Sequence, residues 1–114
     1  MTNEITIALG QISCKVGDKS HNIEKMNKII KQAKEKGANL VAFPELSLTG
    51  YVVRDTAYEL AETVSSGPSV RQIEEIAKEE NVHIIFGMIE KNAKVNAILH
   101  NTADFIGPKG YIGK

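Results

Sequence analysis

The sequence predicts an α/β fold built on a mixed sheet. Three observations predict it: short apolar runs alternate with two long stretches of helical periodicity, the last two apolar runs are joined by the tetrad Gly107-Pro108-Lys109-Gly110, and no linker longer than Ser65-Ser66-Gly67-Pro68 interrupts the chain. Strands separated by a helix pair in parallel, whereas a tight turn pairs antiparallel neighbours, so a β-α-β-α-β order ending in a hairpin yields both kinds of ladder. With 114 residues, 42% of them apolar, the chain reads as a single domain over residues 1–114.

A first strand is expected over residues 4–12, in Ile5-Thr6-Ile7-Ala8-Leu9-Gly10-Gln11-Ile12. A helix follows over 19–36, where Ile23, Met26, Ile29, Ile30 and Ala33 share one face, with Asp18 or Ser20 as cap and Gly37 placed to end it. That stripe packs a helix onto a sheet. Residues 39–43, Asn39-Leu40-Val41-Ala42-Phe43, form a short buried strand, and Pro44 holds Phe43 extended while removing a ladder donor. A second helix is predicted over 70–80, opened by Ser69 and Gln72 as a capping box and burying Val70, Ile73, Ile76 and Ala77. Its remaining face, with Arg71, Glu74, Glu75, Lys78 and Glu79, is solvated. Strands over 82–90 and 96–106 come next, and the Gly-Pro-Lys-Gly turn leads into a fifth that starts at Tyr111.

Glu45 leaves the second strand at its carboxyl end, where open α/β sheets place their ligand sites. A glutamate in such a loop is most often a solvated residue or a helix cap. The whole string Phe43-Pro44-Glu45-Leu46-Ser47-Leu48-Thr49-Gly50-Tyr51 says more, because it resembles the first catalytic motif of the nitrilase, or carbon-nitrogen hydrolase, superfamily. Other landmarks fall in that family's order. They are the first strand with Val16-Gly17-Asp18 and Asn22, the strand Val82-His83-Ile84-Ile85-Phe86-Gly87, and Asn101-Thr102-Ala103 with the hairpin Ile106 to Lys114.

The resemblance implies the amino-terminal half of a four-layer αββα sandwich, with two main helices packed on its sheet. It implies that Glu45 is the general base of a Glu-Lys-Cys constellation, and that Tyr51, followed by Arg54-Asp55, neighbours the substrate pocket. The expected substrate is a small non-peptide amide or nitrile, attacked by a cysteine thiolate to give a thioester, with amides favoured. The family's lysine lies a few residues past Gly113-Lys114 and its cysteine further on, so the 114 residues are expected to be the amino-terminal portion of a hydrolase domain, inactive alone. No cofactor and no metal are implied.

Cys14, the one cysteine, is a poor substitute nucleophile: no histidine stands at useful spacing, and Lys15, next to it on an extended segment, points the other way. It reads as a small, partly buried side chain at a strand end. A lone cysteine also excludes an intramolecular disulfide framework and suits a reducing compartment. His21, His83 and His100 show no i, i+4 pairing of the kind that binds metal, and His100 stands where the family often has an aromatic residue.

Fourteen basic residues balance fourteen acidic ones, which disfavours nucleic acid and anionic membranes as partners. No apolar run approaches the roughly 20 residues of a membrane span, and the start carries Glu4 without a cationic segment, so a cytoplasmic location is expected. A strand such as Val82 to Phe86 is apolar on both faces; with only one face covered by helices, the chain is expected to form a homo-oligomer or otherwise cover the other. The competing function is a non-enzymatic self-associating α/β module, or a small-molecule binder that retains the motif. Its nucleotide-binding version is weak, because Gly10-Gln11-Ile12 is a poor match to GxGxxG.

Overall fold

The computed structural model describes residues 3–64 and 66–114, so Ser65 of the predicted loop lies outside the described residues. Five strands form one sheet in the order β1 (Ile7–Leu9), β2 (Leu40–Ala42), β3 (His83–Lys91), β4 (Leu99–Gly107) and β5 (Gly110–Gly113). The first two ladders are parallel and the last two antiparallel, as the alternation and the terminal hairpin require. Gly107 pairs with Gly110 across the Pro108-Lys109 turn.

Helix α1 (Lys19–Glu35) begins at Asp18, whose Oδ1 accepts the His21 amide at 3.0 Å, and ends before Gly37 at φ +86°. Helix α3 (Pro68–Glu80) starts earlier than the pattern predicts. Pro68 occupies the first turn, Gly67 is the N-cap, and the Ser69–Gln72 capping box does not form. Ser69 is bonded instead to Glu62, which leaves no cap role for its hydroxyl. Asn81 closes the helix in the left-handed region at φ +53°.

Two further differences have local causes. Strand β1 spans three residues rather than the nine expected, because it lies at the sheet edge and its single partner β2 is itself three residues long. A 3-10 turn at Arg54–Thr56 runs into the short helix α2 (Ala57–Leu60), which the apolar pattern does not announce.

Both long helices lie on one face of the sheet. Met26 and Ile30 of α1, Val70 and Ile73 of α3, and Val41, Ile84, Phe86, Met88 and Ile106 of the strands form one core cluster. Register places Ile7, Leu9, Leu40, Ala42, Ile85 and Phe105 on the other face, where Ile7 is 54% and Leu9 81% exposed. This is the two-layer arrangement expected of half a sandwich, with one sheet face uncovered at its β1 side. At the far end of that face a smaller cluster of Leu46, Ala61 and Ile89, joined by Val53, Ala57, Leu60 and Leu99, seats the loop that carries Glu45. No helix among the described residues is long and apolar enough to cross a membrane.

Candidate active site

Glu45 is exposed at the head of a loop whose following residues are buried. Leu46, Ser47, Leu48 and Thr49 are each 8% exposed or less. A tight turn buries them: the Ser47 amide donates to the Pro44 carbonyl at 3.2 Å and the Gly50 amide to Leu46 at 2.8 Å, with Leu46 at φ +50° and Gly50 at +80°. A buried loop must satisfy its own polar backbone. Here neighbours from four parts of the chain do so. The Cys14 thiol donates to Ser47 O at 3.2 Å, Asn22 Nδ2 to Leu48 O at 2.9 Å, and the Gly17 amide to Thr49 O at 2.8 Å. Gly87 of β3 takes the other side, its amide donating to Ser47 Oγ at 3.1 Å and its carbonyl accepting the Leu48 amide at 3.0 Å.

That docking needs a glycine at position 87. A Cβ there would stand 2.3 Å from Leu46 N and 3.0 Å from the Glu45 carbonyl carbon, and both are backbone atoms that cannot rotate aside. Gly87→Ala is therefore expected to lift the loop from β3 at a cost of about 1–3 kcal/mol, the usual range for overpacking. Chemical denaturation and the amide shifts of Leu46 to Leu48 check it; an unchanged midpoint with unchanged shifts would rule it out.

Glu45 Oε1 accepts a hydrogen bond from Asn101 Nδ2 of β4 at 3.0 Å. The two residues flank a cleft of about 350 Å³ lined also by Phe43, Pro44, Ile85, Gly87 and Ala103. A carboxylate held at a cleft can take a proton from a bound group. Tyr51 does not line this cleft and is 68% exposed, and Arg54 and Asp55 open the 3-10 turn beyond it. Cys14 is occupied as a donor to the loop; burial pushes its thiol above the ordinary value, and the Lys25 charge offsets this only in part. It is held as a thiol, the form that does not attack carbon.

Two more carboxylate clusters sit on the helix side of the sheet. Glu90 accepts from Thr102 Oγ1 at 2.8 Å and pairs with Lys114 Nζ. Burial alone would raise its pKa, but the Lys114 and Thr102 bonds outweigh that and hold it below the usual range. Asp104 beside it is fully buried with neither oxygen hydrogen-bonded. Glu62 binds Lys19 and Ser69. Among the described residues no three histidine, cysteine, aspartate or glutamate side chains converge as metal donors.

Asn22, Gly87 and Asn101 thus join Glu45 at the site; the sequence marks them only as landmarks of the resemblance, and offers Glu45 and Tyr51 as the site residues. Asn22 had a legible signal: it continues the buried α1 stripe one turn before Met26, a polar residue where an apolar one is expected.

The carbon-nitrogen hydrolase family model matches residues 6–114. The chain is 34% identical to a nitrilase of Pyrococcus abyssi over 96% of its own length and 42% of that protein's, and 33% identical to omega-amidase NIT2 of Mus musculus over 92% and 37%. Its fold matches the Saccharomyces cerevisiae Nit3 structure with a TM-score of 0.82 and an amidase from Nesterenkonia sp. with 0.80, each at 21% identity, covering 95% and 94% of this chain and 41% and 40% of theirs. The chain therefore spans about two fifths of the length of these relatives. With the family model matching nearly the whole sequence, the chain belongs to the carbon-nitrogen hydrolase family.

Proposed function

We propose that Glu45 is the general base of a cysteine-dependent hydrolase of small non-peptide amides or nitriles. The observation that carries this reading is its placement: an exposed carboxylate at a cleft, on a loop whose backbone is fixed on several sides. In the reaction Glu45 takes the proton of the nucleophilic thiol, and the sulfur attacks the nitrile or amide carbon. With an amide, the protonated carboxyl then gives its proton to the departing nitrogen, leaving a thioester. With a nitrile, the proton goes to the nitrogen of a thioimidate, and a first water must add to that carbon before ammonia departs and the same thioester is left. Glu45 next removes a proton from the water that cleaves the thioester, restoring the thiol. A lysine ammonium stabilises the oxyanion.

The lysine and cysteine of this scheme are supplied by residues beyond Lys114, because Cys14 is committed to Ser47 as a thiol. The direction of β5 supports that reading. Gly113 pairs with Phe105, so a strand continued in this register runs along β4 toward Asn101 and brings alternate side chains to the Glu45 side.

The 114-residue chain is expected to hydrolyse a panel of simple amides and nitriles no faster than Glu45→Ala. Turnover that disappears in that variant would overturn the expected inactivity. The base role is tested by joining residues 1–114 to the remainder of the Pyrococcus abyssi nitrilase: the chimera is expected to turn over, and Glu45→Gln to lower kcat about 10²–10⁴-fold. A folded Glu45→Gln chimera with undiminished kcat removes Glu45 from the chemistry.

A further inference from the structure

We propose that Asn101 is a positioning residue for the Glu45 carboxylate, holding one oxygen so that the other is presented to the cleft. The inference rests on Glu45 being the base. The backbone under Glu45 is already fixed through Leu46, Ser47 and Leu48, so only the side-chain torsions remain to be set. Among the described residues Asn101 alone donates to this carboxylate, from Nδ2 to Oε1 at 3.0 Å. It reaches Glu45 from a rigid part of the sheet, since Asn101 pairs with Ile89 within the longest ladder of the protein.

The residue type fits the task. A carboxylate only accepts hydrogen bonds, so the amide must turn its nitrogen toward Glu45, and its orientation is fixed by chemistry. The amide is also neutral. A lysine or arginine in its place would hold the carboxylate equally well but would stabilise its charged form and weaken it as a base. Glu45 is a long, exposed side chain, and one strand-borne donor is what limits its rotamers.

NMR of the 114-residue chain tests the assignment. In the wild type the Asn101 side-chain amide protons are expected to shift when Glu45 is replaced in Glu45→Ala, and Glu45 is expected to populate one dominant χ1 rotamer. That dominance is lost in Asn101→Ala and in the isosteric Asn101→Asp, where the donor becomes an acceptor, while the amide dispersion of the sheet is retained. Should Asn101→Ala fail to fold, Asn101→Asp decides the matter alone. Identical Glu45 rotamer populations in the wild type and the folded variants would overturn the assignment. That result would leave the base role of Glu45 standing, because the Glu45→Gln chimera decides it separately.

Discussion

Glu62→Ala is expected to lower the unfolding free energy by about 2–4 kcal/mol, in the range for removing one partner of a buried, multiply bonded charge. Glu62 is 8% exposed and is fixed at both ends. Its backbone bridges to β3, with its amide donating to Ile89 O at 3.1 Å and its carbonyl accepting the Lys91 amide at 2.8 Å. Its side chain then collects three donors: Ser69 N at 2.9 Å on Oε1, with Ser69 Oγ and Lys19 Nζ, each at 2.6 Å, on Oε2. One residue therefore ties the sheet to the first turns of α1 and α3. Gly67, the N-cap of α3, has no side chain to offer that helix, so the Glu62 carboxylate supplies both the acceptor and the negative charge. A Cβ at Gly67 would in turn stand 2.6 Å from Glu62 Oε1.

Burial acts first on Glu62 and raises its pKa, but the Lys19 and Ser69 bonds outweigh it and leave the group below its ordinary 4.5. Its contribution is thus full above that value and is lost as pH falls through the depressed folded one. Urea unfolding at pH 7 measures the effect. Glu62→Gln should cost less than Glu62→Ala, because the amide oxygen still accepts from Ser69; Lys19→Ala should also cost less, since Lys19 is 23% exposed and its loss leaves Glu62 the Ser69 bonds. A Glu62→Ala cost below about 0.5 kcal/mol, the size of an ordinary surface change, would show that the carboxylate is not the tie described.

The position of Glu62 shows where sequence reading stops. The five strands and two long helices were legible because their apolar periods are written locally: Val70, Ile73, Ile76 and Ala77 are buried in α3 just as the spacing requires. The capping of α3 was not, since Ser69 and Gln72 form a plausible local box until a carboxylate seven residues earlier folds back onto Ser69. Helix α2 was missed for a similar reason. It is short, and it is held by tertiary contacts of Ala57 and Leu60 with Leu46 and Ile89 and by Tyr58 Oη donating to Ala97 O at 2.9 Å. At the site, Glu45 could be found because its motif is contiguous. Asn101 and Gly87 were legible only as landmarks, and their bonds to the Glu45 loop were not, because those partners lie 56 and 40 residues away. Local pattern encodes elements; the pairing of loops with strands is settled only by packing.

Replacing Asp104 is expected to stabilise the protein at neutral pH, an unusual result for a fully buried residue. Asp104 lies opposite Phe86 on β4, between Thr102 and Ile106 on the helix-facing side, and both of its carboxylate oxygens lack a hydrogen-bond partner. Burial, then the nearby Glu90 charge, push its pKa from 3.8 up to about 6, with the Lys114 ammonium opposing them. Tyr111, the other titratable group beside it, is raised by burial and by the same two carboxylates. Because the folded pKa lies above the unfolded one, the folded chain keeps a proton between about pH 4 and 6 that the unfolded chain has released. Stability therefore falls as pH rises through that window, and above it the ionised carboxyl costs about 3 kcal/mol at 1.36 kcal/mol per unit.

Glu62 and Glu90 work in the opposite sense, their depressed values adding stability above the ordinary glutamate range, so the wild-type profile is a partial cancellation. The difference between the wild type and Asp104→Val isolates the aspartate. Valine is apolar, of moderate size and suited to a strand, and it leaves the Glu90–Lys114 pair in place. At pH 7.5 the variant should be more stable by about 1–3 kcal/mol, the gain shrinking through pH 5 toward whatever packing difference remains below pH 4. Asp104→Asn should flatten the same part of the profile with a smaller gain, since a buried amide also needs partners. A difference that stays constant from pH 4 to 7.5 would mean that Asp104 does not change its proton occupancy on folding, and the unpartnered carboxyl would need another explanation.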